Sequence, residues 1–260
     1  MTFLTSQSAR EPLLRTQGQP RMQRTSTAKH IKGRLVGASL LCFAVDPTFS
    51  CVYFLLGKER HNVRWPNGSN RWSDFGGRVA STDSCAEETA AREFFEETLA
   101  VVRYFENDNL PRKGWDDIVN DLRNGKYAMR LTQGNSSRKF VIFVKQIPWD
   151  PEVVDRFSTY RSALTCPRFV VPTQLVSLVA SHPGLLRANT EVPFMRKEFL
   201  EKKILGLWSV PQLRRAVDHG GTMTHRNGYV EHCRPSFVES LEIVLGELAF
   251  HEPGVLEESV

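Results

Sequence analysis

Negative charge is concentrated in one short segment of this chain, FGGRVASTDSCAEETAAREFFEET, which runs from Phe75 to Thr98. Six of its residues are acidic, and a pair of glycines precedes all of them. The Ala and Glu content favours an α-helix. On that helix Glu96 and Glu97 lie within about 60° of Glu93, because each residue turns the helix by about 100°. The segment therefore predicts three carboxylates on one helix face.

The other face of the same helix is apolar and suits packing on a sheet. It carries Ala90, Ala91, Phe94, Phe95 and Leu99. Like charges three or four residues apart destabilise an isolated helix by about 0.2–0.5 kcal/mol per pair, so the acidic face needs a cation. Arg92 alone cannot serve three carboxylates, whereas Mg²⁺ or Mn²⁺ binds oxygen ligands, to which the carbonyl of Gly76 would add one. A solvated acidic surface is the alternative.

The composition of the chain is that of an ordinary globular protein. Its 260 residues are 41% hydrophobic and 24% charged, which allows a substantial core. The net charge of +5 belongs to the amino terminus, since the first 34 residues carry seven Lys or Arg and one acid, and the rest sums to −1. The tail, residues 1–33, is predicted to be disordered, with an organelle transit peptide as the alternative.

The sequence predicts an intracellular protein without a membrane partner. Its longest apolar run, LVGASLLCFAV at 35–45, is too short to cross a bilayer, and no secretory signal is recognisable. Five dispersed cysteines indicate reduced thiols, and the spacing of His219, His225, His232 and Cys233 matches no common zinc site. We expect a cytoplasmic location, with mitochondrial or other organelle targeting by the tail as an alternative, and no DNA partner.

Strand and helix signals alternate along the chain and predict one α/β domain over residues 34–250. The strand-like runs are RLVGASLLCFAVD, CVYFLLGKER, KYAMRLT, RKFVIFVKQI and EKKILGLWSV. Later segments predict a helix at PQLRRAVDH, a hairpin at TMTHRNGYVEH and a closing amphipathic helix at RPSFVESLEIVLGEL. A helical insertion is expected at about 148–190, and residues 251–260 form a second tail.

The acidic segment resembles the Nudix box, the signature of the Nudix hydrolase family. That box reads Gly, five residues, Glu, seven residues, then Arg-Glu-apolar-x-Glu-Glu-x-Gly-apolar. This chain supplies Gly77, Arg92, Glu93, Glu96 and Glu97 in that order. Strand-like runs before the box and the run FLEKKILGLWSV after it also resemble the family.

Two positions depart from the box. Fourteen residues separate Gly77 from Arg92 where the box has thirteen, so Asp83 or Ser84 stands at the place of the first Glu. Leu99 replaces the Gly that follows the helix, which implies a helix that continues or ends differently. Neither departure removes a carboxylate that would hold metal.

The resemblance implies a Nudix-like α/β/α sandwich with a mixed central sheet. It also implies a Mg²⁺- or Mn²⁺-dependent hydrolase that cleaves a diphosphate bond in a nucleoside diphosphate linked to another group, such as a dinucleoside polyphosphate or a nucleotide sugar. Glu93, Glu96, Glu97 and the carbonyl of Gly76 would hold the metal, and Arg92 would orient the carboxylates.

The general base stays open between Glu93 and a carboxylate outside the helix, with Glu198 and Glu201 as candidates. Arg78, beside the Gly pair, would contact phosphate, or it is an exposed strand-end charge. Trp65 and Trp72 would stack on a base, or they pack in the core.

Two other functions stay open at this point. The basic tail leaves RNA as a substrate, through decapping of its 5′ end. The altered positions of the box leave a module that binds a nucleotide or a partner without turnover.

Overall fold

The fold is a mixed β-sheet covered by helices on both faces. It was analysed as a computed structural model, which describes residues 33–63, 66–104, 115–165, 200–224 and 228–248. The strands are β1 (Arg34–Val45), β2 (Val52–Glu59), β3 (Trp72–Ser73), β4 (Phe75–Arg78), β5 (Met129–Gly134), β6 (Arg138–Gln146), β7 (Lys202–Ser209), β8 (Thr222–Thr224) and β9 (Val230–His232). The helices are α1 (Ala86–Glu97), α2 (Asp116–Arg123), α3 (Val153–Thr165), α4 (Val210–Asp218) and α5 (Pro235–Glu247).

Seven strands form the central sheet, and β1 lies at its middle. β1 pairs in parallel with β6 and antiparallel with β2 and β4, while β2 also pairs with β3 and β7, and β6 with β5. Since β1 is apolar along almost its whole length, it can be buried on both faces, as a central strand must be. The predicted mixed sheet is confirmed, and so are the five predicted strands before the hairpin.

Two cores form, one on each face of the sheet, because successive side chains of a strand point to opposite faces. On one face, Leu40 and Phe143 pack with residues of α1, α2 and α3. On the other face, Leu41 and Val144 pack with residues of α4 and α5. The three layers confirm the predicted α/β/α arrangement. The helix predicted at 211–219 and the closing helix are also confirmed, as α4 and α5.

Helix α1 ends after Glu97, and the residues that follow take an unusual backbone conformation. Leu99 and Ala100 have φ values of 55° and 53°, in the left-handed region where Gly is usual. The Leu99 N–H donates to the carbonyl of Glu96, and the Ala100 N–H donates to that of Phe95. The Leu99 side chain is fully buried. Leu99 thus ends the helix in the left-handed conformation that a Gly would adopt, at a backbone cost offset by burial.

Several predictions fall outside the described residues. These are residues 1–32 of the tail predicted at 1–33, residues 166–190 of the insertion expected at about 148–190, the tail at 251–260, and the individual residues Trp65, Glu198 and His225. Of the insertion, the described part contains helix α3. None of the helices in the described ranges is long and apolar enough to span a membrane.

Candidate active site at the junction of β4 and α1

Two glycines of β4 let helix α1 lie close to the sheet. A Cβ on Gly77 would lie 2.3 Å from Oε1 of Glu93, and a Cβ on Gly76 would lie 2.2 Å from Cβ of Ser39 on β1. Both distances are shorter than any real contact, so a side chain at either position requires a shift. The Gly pair therefore places the acidic face of α1 directly over the end of β4.

Arg92 joins the acidic residues of this junction. Its Nη2 lies 2.9 Å from Oδ2 of Asp83 and 3.0 Å from Oε1 of Glu93, and its Nη1 lies 3.1 Å from Oε2 of Glu96. Nη2 also donates to the carbonyl of Arg78, at 3.1 Å. A planar guanidinium held by several acceptors fixes their relative positions. Arg92 thus orients two of the three carboxylates predicted to hold metal.

Asp83 occupies the place at Arg92 that the sequence left open between Asp83 and Ser84. Its Oδ2 also accepts the N–H of Ala80 at 2.9 Å and the hydroxyl of Thr89 at 3.0 Å. Burial opposes the charged form, but the hydrogen bonds from Arg92 and Ala80 lower the pKa of Asp83 below its ordinary value. The extra residue in the loop therefore leaves a charged carboxylate facing the arginine.

Glu97 points away from the other two helix carboxylates, into a buried polar cluster. Its Oε2 accepts the N–H of Gly76 at 2.8 Å, and its Oε1 lies 3.4 Å from Nζ of Lys202. The Lys202 ammonium also donates to Oε1 of Glu59 at 2.6 Å, to Oγ of Ser73 at 2.8 Å and to the carbonyl of Asp74 at 3.0 Å. Both oxygens of Glu97 are thus engaged by groups of the chain.

Lys202 is fully enclosed by this cluster. Its side chain has 0% exposure, and a Cβ on Gly57 of β2 would lie 2.7 Å from its Cδ. Burial disfavours the charged ammonium, but the neighbouring carboxylates Glu97 and Glu59 raise the pKa of Lys202 above its ordinary value. The fold therefore holds one permanent positive charge beside Glu97.

The pKa of Glu93 is shifted far from its ordinary value, although its side chain still reaches solvent. Burial raises the pKa of Glu93 to about 7, repulsion by Glu96 and Glu201 adds to the rise, and Arg92 opposes it. The side chain retains 13% exposure. A carboxyl with such a shift at the edge of a pocket marks a candidate functional site.

A pocket of about 1080 Å³ opens over this junction. The predicted site residues that line it are Gly76, Arg78, Arg92, Glu93, Glu96, Glu97 and Glu201. Glu201 is exposed and close enough to Glu93 to repel its charge. Within the described ranges, the residues predicted to hold metal, contact phosphate or take a proton therefore line one pocket.

The donor set at the pocket suits a hard divalent cation only in part. Glu93 and Glu96 offer oxygen ligands and face the pocket, which is the chemistry that Mg²⁺ selects. Within the described ranges, however, no three His, Cys, Asp or Glu side chains converge closely enough to hold a metal ion. Glu97 would have to leave Lys202 or Gly76 to become a third carboxylate ligand.

No sequence pattern indicated Glu59, Lys202 or the pocket arginines Arg34, Arg138 and Arg234 as site residues. Glu59 and Lys202 stand in the charged runs GKER and EKK, which resemble solvated surface, and 143 residues separate them. Only the antiparallel pairing of β2 with β7 brings the two together. Trp72 is buried and packs edge-on against Trp208, in line with the packing role weighed for it.

Comparison with known proteins gives matches among solved structures. No family model matches the chain, and no curated protein does. The NUDIX domain of Shewanella oneidensis NrtR complexed with ADP ribose is 11% identical over 85% of this chain and 92% of that chain, with a TM-score of 0.36. A Caenorhabditis elegans Ap4A hydrolase binary complex is 9% identical over 82% and 99%, with a TM-score of 0.33.

A MutT/nudix family protein from Enterococcus faecalis is matched over a shorter region. It is 16% identical over 46% of this chain and 39% of that chain, with a TM-score of 0.29. At these sequence identities and TM-scores, no function is assigned to this chain from the matched structures. The function is inferred below from the residues of the site.

Proposed function

We propose that this chain is a Nudix-type hydrolase that uses Mg²⁺ or Mn²⁺ to cleave a diphosphate bond in a nucleotide. The observation that carries the proposal is the arrangement around Arg92, which pairs with Asp83 and holds Glu93 and Glu96 at one pocket. These residues stand in the order of the Nudix box. A solvated acidic helix would have no reason to enclose an arginine among them.

The residues of this site would have different roles toward the cation. Glu93 and Glu96, with a carbonyl of the Gly pair, would hold the cation, and Glu97 would join them by releasing Lys202. When bound, the cation lowers the pKa of a coordinated water and offsets charge on phosphoryl oxygens. Arg92 keeps the carboxylates in position.

Two further residues would act on the substrate. Arg78 lines the pocket beside the Gly pair and is placed to contact a phosphate. Glu201, a carboxylate outside the helix, would take a proton, since it lines the same pocket as Glu93.

A panel of substrates tests the proposal. It contains an ADP-sugar, a dinucleoside polyphosphate, a nucleoside triphosphate and capped RNA, each with Mg²⁺ or Mn²⁺. Glu96→Gln removes a ligand charge at constant shape and should lower turnover roughly 100-fold, a loss typical of removing one group that stabilises charge in a transition state. Glu88→Gln is the matched control, because Glu88 lies on the same helix, outside the pocket, and pairs with Arg123.

The proposal also predicts a thermal shift. A cation that binds only the native state raises the melting temperature by mass action. Mg²⁺ should raise it for wild type and for Glu88→Gln, and less for Glu96→Gln. Equal turnover in the Glu96 and Glu88 variants would contradict the assignment of the helix.

One observation favours a second candidate, a nucleotide-binding module without turnover. Glu97 lines the pocket, but its carboxylate is occupied by Lys202 and by the Gly76 N–H, so it cannot bind a cation without a change. This candidate predicts that an ADP-sugar raises the melting temperature with no product formed. Turnover of any substrate in the panel, lost in Glu96→Gln, excludes it.

A further inference from the structure

The arginines of the pocket fall into two groups. Arg92 faces the acidic residues of the junction, and Nη1 of Arg234 lies 3.7 Å from Oε1 of Glu59. Arg34, Arg78 and Arg138 also line the pocket and are exposed. Within the part of the chain that the structure describes, the side chains of these three have no carboxylate or hydrogen-bond partner. Their charge is therefore left for a ligand or for solvent.

The three arginines lie on three adjacent strands, two of them directly opposite each other and the third farther along the sheet. Arg34 and Arg138 are the first residues of β1 and β6 and are direct partners in the parallel register. Arg78 is the last residue of β4, and its partner on β1 is Gly37. Gly37 is three residues from Arg34 along β1, and a strand rises about 3.3 Å per residue, so Arg78 stands up to about 10 Å along the sheet from the Arg34–Arg138 pair and on the next strand. We call Arg34, Arg78 and Arg138 the arginine wall.

The pocket has negative charge on its helix side and positive charge at the arginine wall. The helix side carries Glu93 and Glu96, and the wall carries the arginines. Like charges on paired strand positions repel each other, as Arg34 and Arg138 must. A bound anion removes that repulsion, and guanidinium groups bind phosphate through two parallel hydrogen bonds. Because Arg78 is displaced along the sheet from the Arg34–Arg138 pair, the three guanidinium groups offer contacts to several phosphates in succession.

We infer that the arginine wall binds a chain of three or more consecutive phosphates in the substrate. The inference rests on the proposed function, because it takes this pocket as the substrate site, and it narrows the substrate to a nucleotide that carries more than a diphosphate. The same chemistry is offered by a free nucleoside polyphosphate and by the 5′-triphosphate end of an RNA. Arg78 contacts the phosphate nearest to the Gly pair, and Arg34 and Arg138 contact those farther away.

Calorimetric titration of the full chain with two inorganic probes tests the inference without any hydrolysis. Pyrophosphate and tripolyphosphate are titrated in chelator at fixed low salt. Tripolyphosphate should bind wild type roughly tenfold tighter than pyrophosphate, the gain expected for one added charged hydrogen-bonded contact. The double variant Arg34→Gln/Arg138→Gln should lose this difference. All substituted positions are exposed or half-buried, so the variants should fold.

Lys139→Gln is the matched control. Lys139 follows Arg138 on the same strand, points to the opposite face and does not line the pocket. It should keep the tenfold preference. Equal binding of the two probes to wild type overturns the inference, and so does an equal loss in the control and the double variant.

A second set of probes separates the two sources of a phosphate chain. Adenosine 5′-tetraphosphate, an RNA oligonucleotide with a 5′-triphosphate and the same RNA without 5′ phosphates compete against tripolyphosphate. Competition by the first or second probe, lost in the double variant, supports the inference and names the source. Equal competition by the RNA without 5′ phosphates overturns it, because the wall would then bind separated backbone phosphates.

The outcome for the wall is separable from the outcome for the proposed function. Hydrolysis of an ADP-sugar with no preference for tripolyphosphate overturns the wall and leaves the hydrolase. A preference for tripolyphosphate without hydrolysis of any substrate leaves the wall as a binding site and removes the hydrolase.

Discussion

Replacing the buried lysine of the site should cost a large part of the stability of the protein. Lys202→Met keeps most of the stem, which fits beside Gly57, and removes the ammonium. Glu59 and Glu97 then remain buried, at 7% and 2% exposure, without their shared cation. Removing one partner of a buried ion pair costs about 3–5 kcal/mol, because an uncompensated charge is left behind. A domain of this kind is stable by only about 5–15 kcal/mol.

Urea unfolding, followed by tryptophan fluorescence and by circular dichroism in chelator, measures this loss. Lys203→Met is the matched control, since Lys203 is the next residue of β7 and, among the residues that the structure describes, its side chain bonds only an exposed Asn70. Its effect should stay within about 0.5 kcal/mol. Glu97→Gln in the Lys202→Met background should recover stability, because it removes one of the orphaned charges. A loss in Lys202→Met below about 1 kcal/mol would refute the idea that this ammonium holds the two carboxylates together.

Three smaller predictions concern the neighbourhood of α1. Gly77→Ala should displace Glu93, since the new Cβ would lie 2.3 Å from its Oε1, so turnover should fall while the helical circular dichroism is kept. Asp83→Asn should destabilise the protein at neutral pH; because the pKa of Asp83 is lowered in the folded state, the difference from wild type should vanish as the pH falls through that pKa. Ala100→Gly should change the free energy of unfolding by less than about 1 kcal/mol, since relief of the left-handed backbone offsets the lost methyl group.

Periodicity predicted the elements of the fold well, because each is specified locally. The apolar run of β1 and the alternating faces of α1 require burial on particular sides, and the structure buries them there. The pairing of β1 with β6 is parallel and joins segments about 100 residues apart, which no local pattern specifies. Sequence reasoning therefore predicted a mixed sheet but not its strand order.

The part of the candidate site that lies on helix α1 was predictable from the sequence. Glu93, Glu96 and Arg92 are close in sequence, so helical geometry alone brings them together. Lys202 and the arginines of β1 and β6 join them only through the strand order. A lysine in a charged run at the start of a strand gives no sign that it will be buried, because the usual lysine is solvated.

The distance along the chain between Glu59 and Lys202 has a consequence during synthesis. Strand β2 cannot pair with β7 until β7 has been synthesised, and Lys202 of β7 follows Glu59 of β2 by 143 positions. At a translation rate of about 5–20 residues per second, that interval lasts roughly 7–30 s. Until then the nascent chain holds two carboxylates without their cation and a sheet lacking one strand. We expect the emerging protein to acquire its site only after Lys202 has been synthesised.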